Sequence, residues 1–166
     1  MISKKIASVI TSVMVFCCIV GVSLTNVKAD DSALKSVDGS YLTSADSSTG
    51  YTPKNNERGK HLMDGQCSIS KTGTKRIYAY GSTTANHTVD AVAVIVYVDQ
   101  YNEKDDEWYQ IDAFSKKVEN DYYSATSKSI QVDRGYYYRV HAEHFVRMGE
   151  DPIEETYSYT NGILVP

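Results

Sequence analysis

Val89-Asp90-Ala91-Val92-Ala93-Val94-Ile95-Val96-Tyr97-Val98-Asp99-Gln100-Tyr101 is the stretch whose reading decides the fold. In an extended chain Val92, Val94, Val96 and Val98 line one face, and Ala91, Ala93, Ile95 and Tyr97 line the other. β-Branched side chains dominate the run, which argues against a helix. Apolar residues on both faces predict a central strand covered, at least in part, on both sides.

Short alternating runs separated by turn residues continue in both directions. Upstream, Cys67 and Ile69 alternate with Ser68 and Ser70, Lys71-Thr72-Gly73-Thr74 turns the chain, and Ile77, Ala79 and Gly81 resume the alternation. Downstream, Asn102-Glu103-Lys104-Asp105-Asp106-Glu107 is a charged loop. Residues 108–117 read as the next strand, with Tyr109, Ile111 and Ala113 sharing a face, and residues 122–132 as another, with Ile130 and Val132 pointing inward. After Asp133-Arg134-Gly135, residues 136–148 place Tyr138, Val140, Ala142, His144 and Val146 on one face. Arg139, His141, Glu143 and Arg147 take the other. Residues 153–165 read as a single closing strand with Tyr157, Tyr159, Ile163 and Val165 in phase. No segment after Asp30 carries a 3.6-residue apolar stripe. The expectation is an all-β chain forming a single antiparallel immunoglobulin-like β-sandwich of about seven strands.

The ends of the chain set its compartment. Residues 1–29 read as a secretory signal peptide: Lys4 and Lys5 start it, residues 6–24 are apolar, and Val27-Lys28-Ala29 offers small residues for cleavage. An uncleaved membrane anchor is the alternative for that apolar run. Residues 30–56 are rich in Ser, Thr, Asp and Gly and read as a flexible leader, unless Tyr41-Leu42 or Tyr51 docks as a short strand. Residues 57–166 are then the domain. Cleavage removes Lys4, Lys5 and Lys28 and shifts the net charge from −4 to −7. Such a domain is repelled by phosphate backbones and anionic lipid, which argues against nucleic acid and membrane surfaces as partners. Cys17 and Cys18 leave with the signal, so Cys67 alone remains. An intramolecular disulfide and a thiolate metal cage are both excluded, and the exported domain must hold itself by packing. Its expected place is outside the cell or at the envelope.

The most specific local pattern is Val132-Asp133-Arg134-Gly135-Tyr136-Tyr137-Tyr138-Arg139-Val140. It resembles the corner leading into strand F of fibronectin type III domains, where a Tyr hydroxyl bonds back to the backbone. Tyr138 is the candidate because it shares phase with Val140 and Ala142, and Gly135 supplies the turn. The antibody-type alternative would use Tyr137 and would turn Arg139 and its charged face inward. The region from Arg58 to Val165 also resembles a family of small exported domains of unknown function from Gram-positive bacteria. That resemblance rests on Arg58-Gly59 with Leu62 and Gly65, Ser68-Ile69, Ile77, Gly81, Thr83 and Val89-Asp90-Ala91-Val92. It continues with Trp108, the segment from Gly135 to Val140, His144 and Thr160-Asn161-Gly162-Ile163. It implies export and an immunoglobulin-like sandwich, and it brings no catalytic residues.

The chemistry-bearing residues do not assemble into a reactive set. His141 and Glu143 share a strand face but His144 points away, and His61 and His87 would have to arrive from loops, so no metal is expected. Cys67 faces the expected core and acts there as a small apolar side chain. The acidic loop at 99–107 lacks calcium-loop spacing. The expectation is a non-enzymatic binding domain that needs no cofactor. Tyrosine is the compositional oddity: all 14 lie beyond residue 29, and some rings must reach the outer sheet surface. Tyr is a good strand former, which accounts for part of this, and exposed rings are also common interface anchors. Trp108 is expected to pack between sheets, with stacking on a sugar the alternative. The candidate binding surface is Tyr137, Arg139, His141 and Arg147 with the rim at Trp108. The partner is an unidentified protein or a polysaccharide; a bacteriocin-like secreted factor is a further alternative.

Overall fold

The computed structural model describes residues 34–53 and 59–166. The expected signal peptide, and the parts of the expected leader at 30–33 and 54–56, lie outside the described residues. The described chain is all-β. Nine strands run in the order β1 (Ser36–Val37), β2 (Ser40–Thr43), β3 (Ser47–Tyr51), β4 (Leu62–Gly73) and β5 (Arg76–Asn102). They continue with β6 (Glu107–Gln131), β7 (Tyr136–Arg147), β8 (Glu154–Tyr159) and β9 (Gly162–Val165).

The valine run is the second half of β5, and β5 organises everything else. Its first half pairs with β4 and with the end of β6, and its second half pairs with β7 and with the start of β6. Between Thr84 and Val89 the ladder breaks: β5 spends four residues where β6 spends only Tyr122. Asn120 beside it has φ +55°. Such a bulge bends both strands. The β5–β6 hairpin therefore folds over on itself and divides the sheet into two limbs. One limb holds β3, β4 and the near half of the hairpin; the other holds the far half with β7, β8, β9, β2 and β1.

The all-β expectation holds, and the sheet differs in three respects from a seven-stranded antiparallel arrangement. The strands number nine among the described residues, and they form one hydrogen-bonded sheet curled into a half-barrel. The sheet is mixed, because β2 runs parallel to β9. The passage from one layer to the other happens within β5 and β6 rather than in a connection between strands. The leader expectation also changes: β1, β2 and β3 lie within it and pair with the sheet, as the docking alternative had it. The compact unit begins at Leu34 rather than 57.

The limbs close on a core of Cys67, Ile69, Ile77 and Ala79 from one side and Val94, Val96, Val98, Tyr138, Val140 and Ala142 from the other, with Ile163 and Val165. All are buried. Gly81 makes the close approach possible: a Cβ there would sit 2.5 Å from Val96 Cγ2 and 3.1 Å from Val94 Cγ2. A smaller cluster of Leu62, Ala85, Val89, Val92 and Val146 fills the bend.

Two one-residue bulges alter the expected phases. The pair Val98↔Asp112 is followed by Asp99↔Gln110, so Ile111 is an extra residue in β6. Ala113 therefore lies opposite Tyr97 and Tyr109 opposite Gln100, on opposite faces of the sheet rather than on one. Likewise β8 pairs His141↔Tyr159 and β9 pairs Tyr138↔Ile163, which leaves one extra residue at the break. The closing segment is two strands, and Tyr157 and Tyr159 face away from the core that Ile163 and Val165 enter.

Candidate functional site

The far limb carries an aromatic ladder on its outer face. Tyr97 of β5, His141 of β7 and Tyr159 of β8 occupy directly opposed register positions on three adjacent strands. Alternation of side chains sends all three outward. The Tyr97 and His141 rings stack with centroids 4.7 Å apart at 13°, and His141 and Tyr159 at 5.9 Å and 21°. Tyr157 stands beside Tyr159 at 6.4 Å. Tyr97 donates its hydroxyl hydrogen to Glu143 at 3.0 Å.

The ladder is rooted in a buried ion pair one rung away. Asp99 and Arg139 are also register partners, and Arg139 Nε donates to Asp99 Oδ2 at 2.9 Å. The same oxygen lies 3.0 Å from His141 Nδ1. Burial pushes the Asp99 carboxyl up, but the hydrogen bonds and charges of His141 and Arg139 outweigh it and hold the group below the usual carboxylate range. The β1–β2 turn closes over Arg139: its guanidinium also donates to the Asp38 carbonyl at 3.0 Å and to the Asp38 carboxylate at 2.8 Å. Trp108 covers it from the side, with the guanidinium carbon 4.6 Å from the ring centroid.

The expected binding surface therefore separates into parts. Arg139 is only 4 % exposed and serves as an internal tie, because the segment read as a leader lies over it. Trp108 is half-buried and donates Nε1–H to the Val37 carbonyl at 3.0 Å. It packs over β1 and Gly162 on the outer face rather than between the limbs. Tyr137 is half-buried, edge-on to Tyr101 at 6.4 Å. Arg147 is exposed at the opposite end of β7, about 33 Å from Tyr137 at 3.3 Å per residue. His141 alone stays in the open ladder. Tyr138 is 1 % exposed and donates its hydroxyl hydrogen to the Asp133 carbonyl at 2.9 Å, the backward bond of the corner. Gly135 takes φ +84°, a conformation that favours glycine.

The other titratable groups are placed as structural elements. His144 is fully buried between Thr83 Oγ1 at 2.9 Å and Ser158 Oγ at 2.8 Å, and burial lowers its pKa to about 4. Burial pushes the Cys67 thiol up to about 11, so it is not a thiolate at neutral pH. His61 and His87 meet each other, with ring nitrogens 3.2 Å apart, and not His141. Among the described residues no group of three or more His, Cys, Asp or Glu is arranged to hold a metal ion.

Past the Ile111 bulge the far limb presents a cleft of about 480 Å³ lined by Tyr109, Tyr136, Gln100 and the residues of the β5–β6 turn. A second cleft of about 460 Å³ adjoins it through Gln100 and runs toward Asp112, Ile130 and Tyr138. Residues that the sequence reading missed as site components are Tyr97, Asp99, Tyr157 and Tyr159. Their alternation was visible, but their convergence depends on strand register. No protein-family model, characterised protein or solved structure matches the chain.

Proposed function

We propose that this chain is an exported, non-catalytic binding domain that acts at or beyond the cell envelope. The observation that carries this reading is the Tyr97–His141–Tyr159 ladder, continued by the half-exposed Tyr157. Register fixes its rings, and the Asp99–Arg139 pair anchors the central one. Rigid amphipathic rings give contact area at low entropy cost, which suits recognition. The residues of the ladder and its root are engaged with one another through stacking and hydrogen bonds, which favours binding over catalysis. Export rests on residues 1–29, and a Gram-positive source on the family resemblance. Kinship with immunoglobulin and fibronectin type III sandwiches is supported by the Tyr138 corner and by the two facing limbs.

The test is capture of envelope and cell-wall material by the purified protein, with and without a Tyr157→Ala/Tyr159→Ala double change. Both side chains are half-exposed, so the fold should persist while capture falls about tenfold or more. Undiminished capture would remove the ladder from the binding role. A second reading, recognition of a polysaccharide, is favoured by the cleft beyond the Ile111 bulge.

A further inference from the structure

We infer that the cleft between Tyr109 and Tyr136 is a subsite for a neutral oligosaccharide; this rests on the reading of the chain as a binding domain and adds a second site to it. The cleft lies at the β5–β6 turn of the far limb. β5 begins at Arg76 and β6 ends at Gln131, and Ile77 and Val132 beside these ends share one core cluster with Val98. Gln100 and Asn102 continue the core-facing phase of Val98, and Gln100 shares the adjoining cleft with Ile130 and Val132 of the near limb. The Ile111 bulge turns Tyr109 onto this same face, opposite Gln100. Tyr136 enters it two residues before Tyr138, which pairs with Gln100.

The lining chemistry selects the ligand. Tyr109 and Tyr136 are 47 % and 45 % exposed and both line the cleft, so each offers aromatic surface to a pyranose ring. Gln100 and Asn102 provide amides, and Glu103 and Lys104 one carboxylate and one ammonium, a set that pairs with vicinal hydroxyls and carries no net charge. Glu103 offsets the Lys104 ammonium, so the lining as a whole does not favour an anionic ligand. The volume of about 480 Å³ falls in the range of small-molecule sites. The adjoining cleft lets a linear chain extend toward Ile130.

The walls are preorganised. Asp105 accepts from Tyr109 Oη at 3.0 Å and from Asn102 Nδ2 at 2.6 Å, while Asn102 Oδ1 accepts from the Lys104 amide at 3.0 Å. Tyr101 also contributes to the lining. Fixed walls lower the ordering cost of binding. The sugar-stacking role that was the alternative reading of Trp108 thus falls to Tyr109 and Tyr136.

The experiment is calorimetric titration of the purified protein with linear tetramers of N-acetylglucosamine and of glucose, at low and high salt. Saturable, salt-insensitive binding of at least one tetramer is expected. Tyr109→Ala and Tyr136→Ala should each weaken it about tenfold, Tyr109→Phe should keep it, and Tyr122→Ala, exposed and outside both clefts, should leave it unchanged. Chemical-shift changes at the Gln100 and Asn102 side-chain amides of the unaltered protein supply a second measurement that does not depend on variant folding. Absence of binding to both tetramers, or binding that survives both alanine changes, overturns the subsite. The ladder is judged separately, by envelope capture in the Tyr157→Ala/Tyr159→Ala protein.

Discussion

Asp99 Oδ2 accepts from Arg139 Nε at 2.9 Å and lies 3.0 Å from His141 Nδ1, so one buried carboxylate oxygen joins the closure of the N-terminal turn to the centre of the aromatic ladder. The guanidinium reaches from that oxygen to Asp38 on the other side. A charge pair in this position is costly to desolvate and more costly to break.

Replacing Asp99 with Asn should destabilise the protein by about 3 kcal/mol, because Arg139 keeps only the exposed Asp38 carboxylate as a charged partner. Urea denaturation measures the loss. Asp99→Leu with Arg139→Met should recover much of it. If the double change is as unstable as the single one, the cost lies in lost shape and not in an orphaned charge.

Stability should fall on acidification in two stages. His144 titrates near 4 in the folded chain against 6.5 ordinarily, so the unfolded chain takes up its proton first as pH drops from 6.5 toward 4. Its neutral form contributes stability fully present above 6.5 and lost through that window, about 3 kcal/mol at most. The depressed Asp99 carboxyl adds a loss at lower pH, present above its unfolded value and gone once the folded group protonates. An NMR titration of His144 with a midpoint above 6 would contradict the burial argument.

Tyr138→Phe should cost about 1 kcal/mol, the net value of one hydrogen bond, since the ring still fills its site and only the bond to the Asp133 carbonyl is removed. Equal midpoints for the two proteins in denaturant would show that the corner is held by packing alone.

Gly81→Ala should destabilise by about 1–3 kcal/mol, because the added methyl meets Val96 and Val94 of the facing limb. A combined Gly81→Ala/Val96→Ala change should be milder than the sum of the two. Strict additivity would mean that the limbs do not meet at this point.

The all-β class was legible because period-two alternation is local, as in Val92 to Val98, where every inward residue is buried. The inward phase of residues 138–146 was legible for the same reason, and so was the corner, whose hydroxyl reaches back only five residues. The phases of Tyr109 and of Tyr157 with Tyr159 were not. A one-residue bulge inverts everything beyond it and leaves no mark in composition.

By itself the sequence determined the strand-rich class, the export expectation, the acidic charge and Cys67 as the one cysteine beyond residue 29, all of them properties of composition and short-range order. Only the tertiary structure decided that the strands form one curled sheet, that the Ser-rich segment covers Arg139, and that Tyr97, His141 and Tyr159 meet. Those outcomes depend on where β5 and β6 bend and on which residue lies opposite which. Register between distant strands is chosen by the packing of the whole core, so no single stretch of chain encodes it.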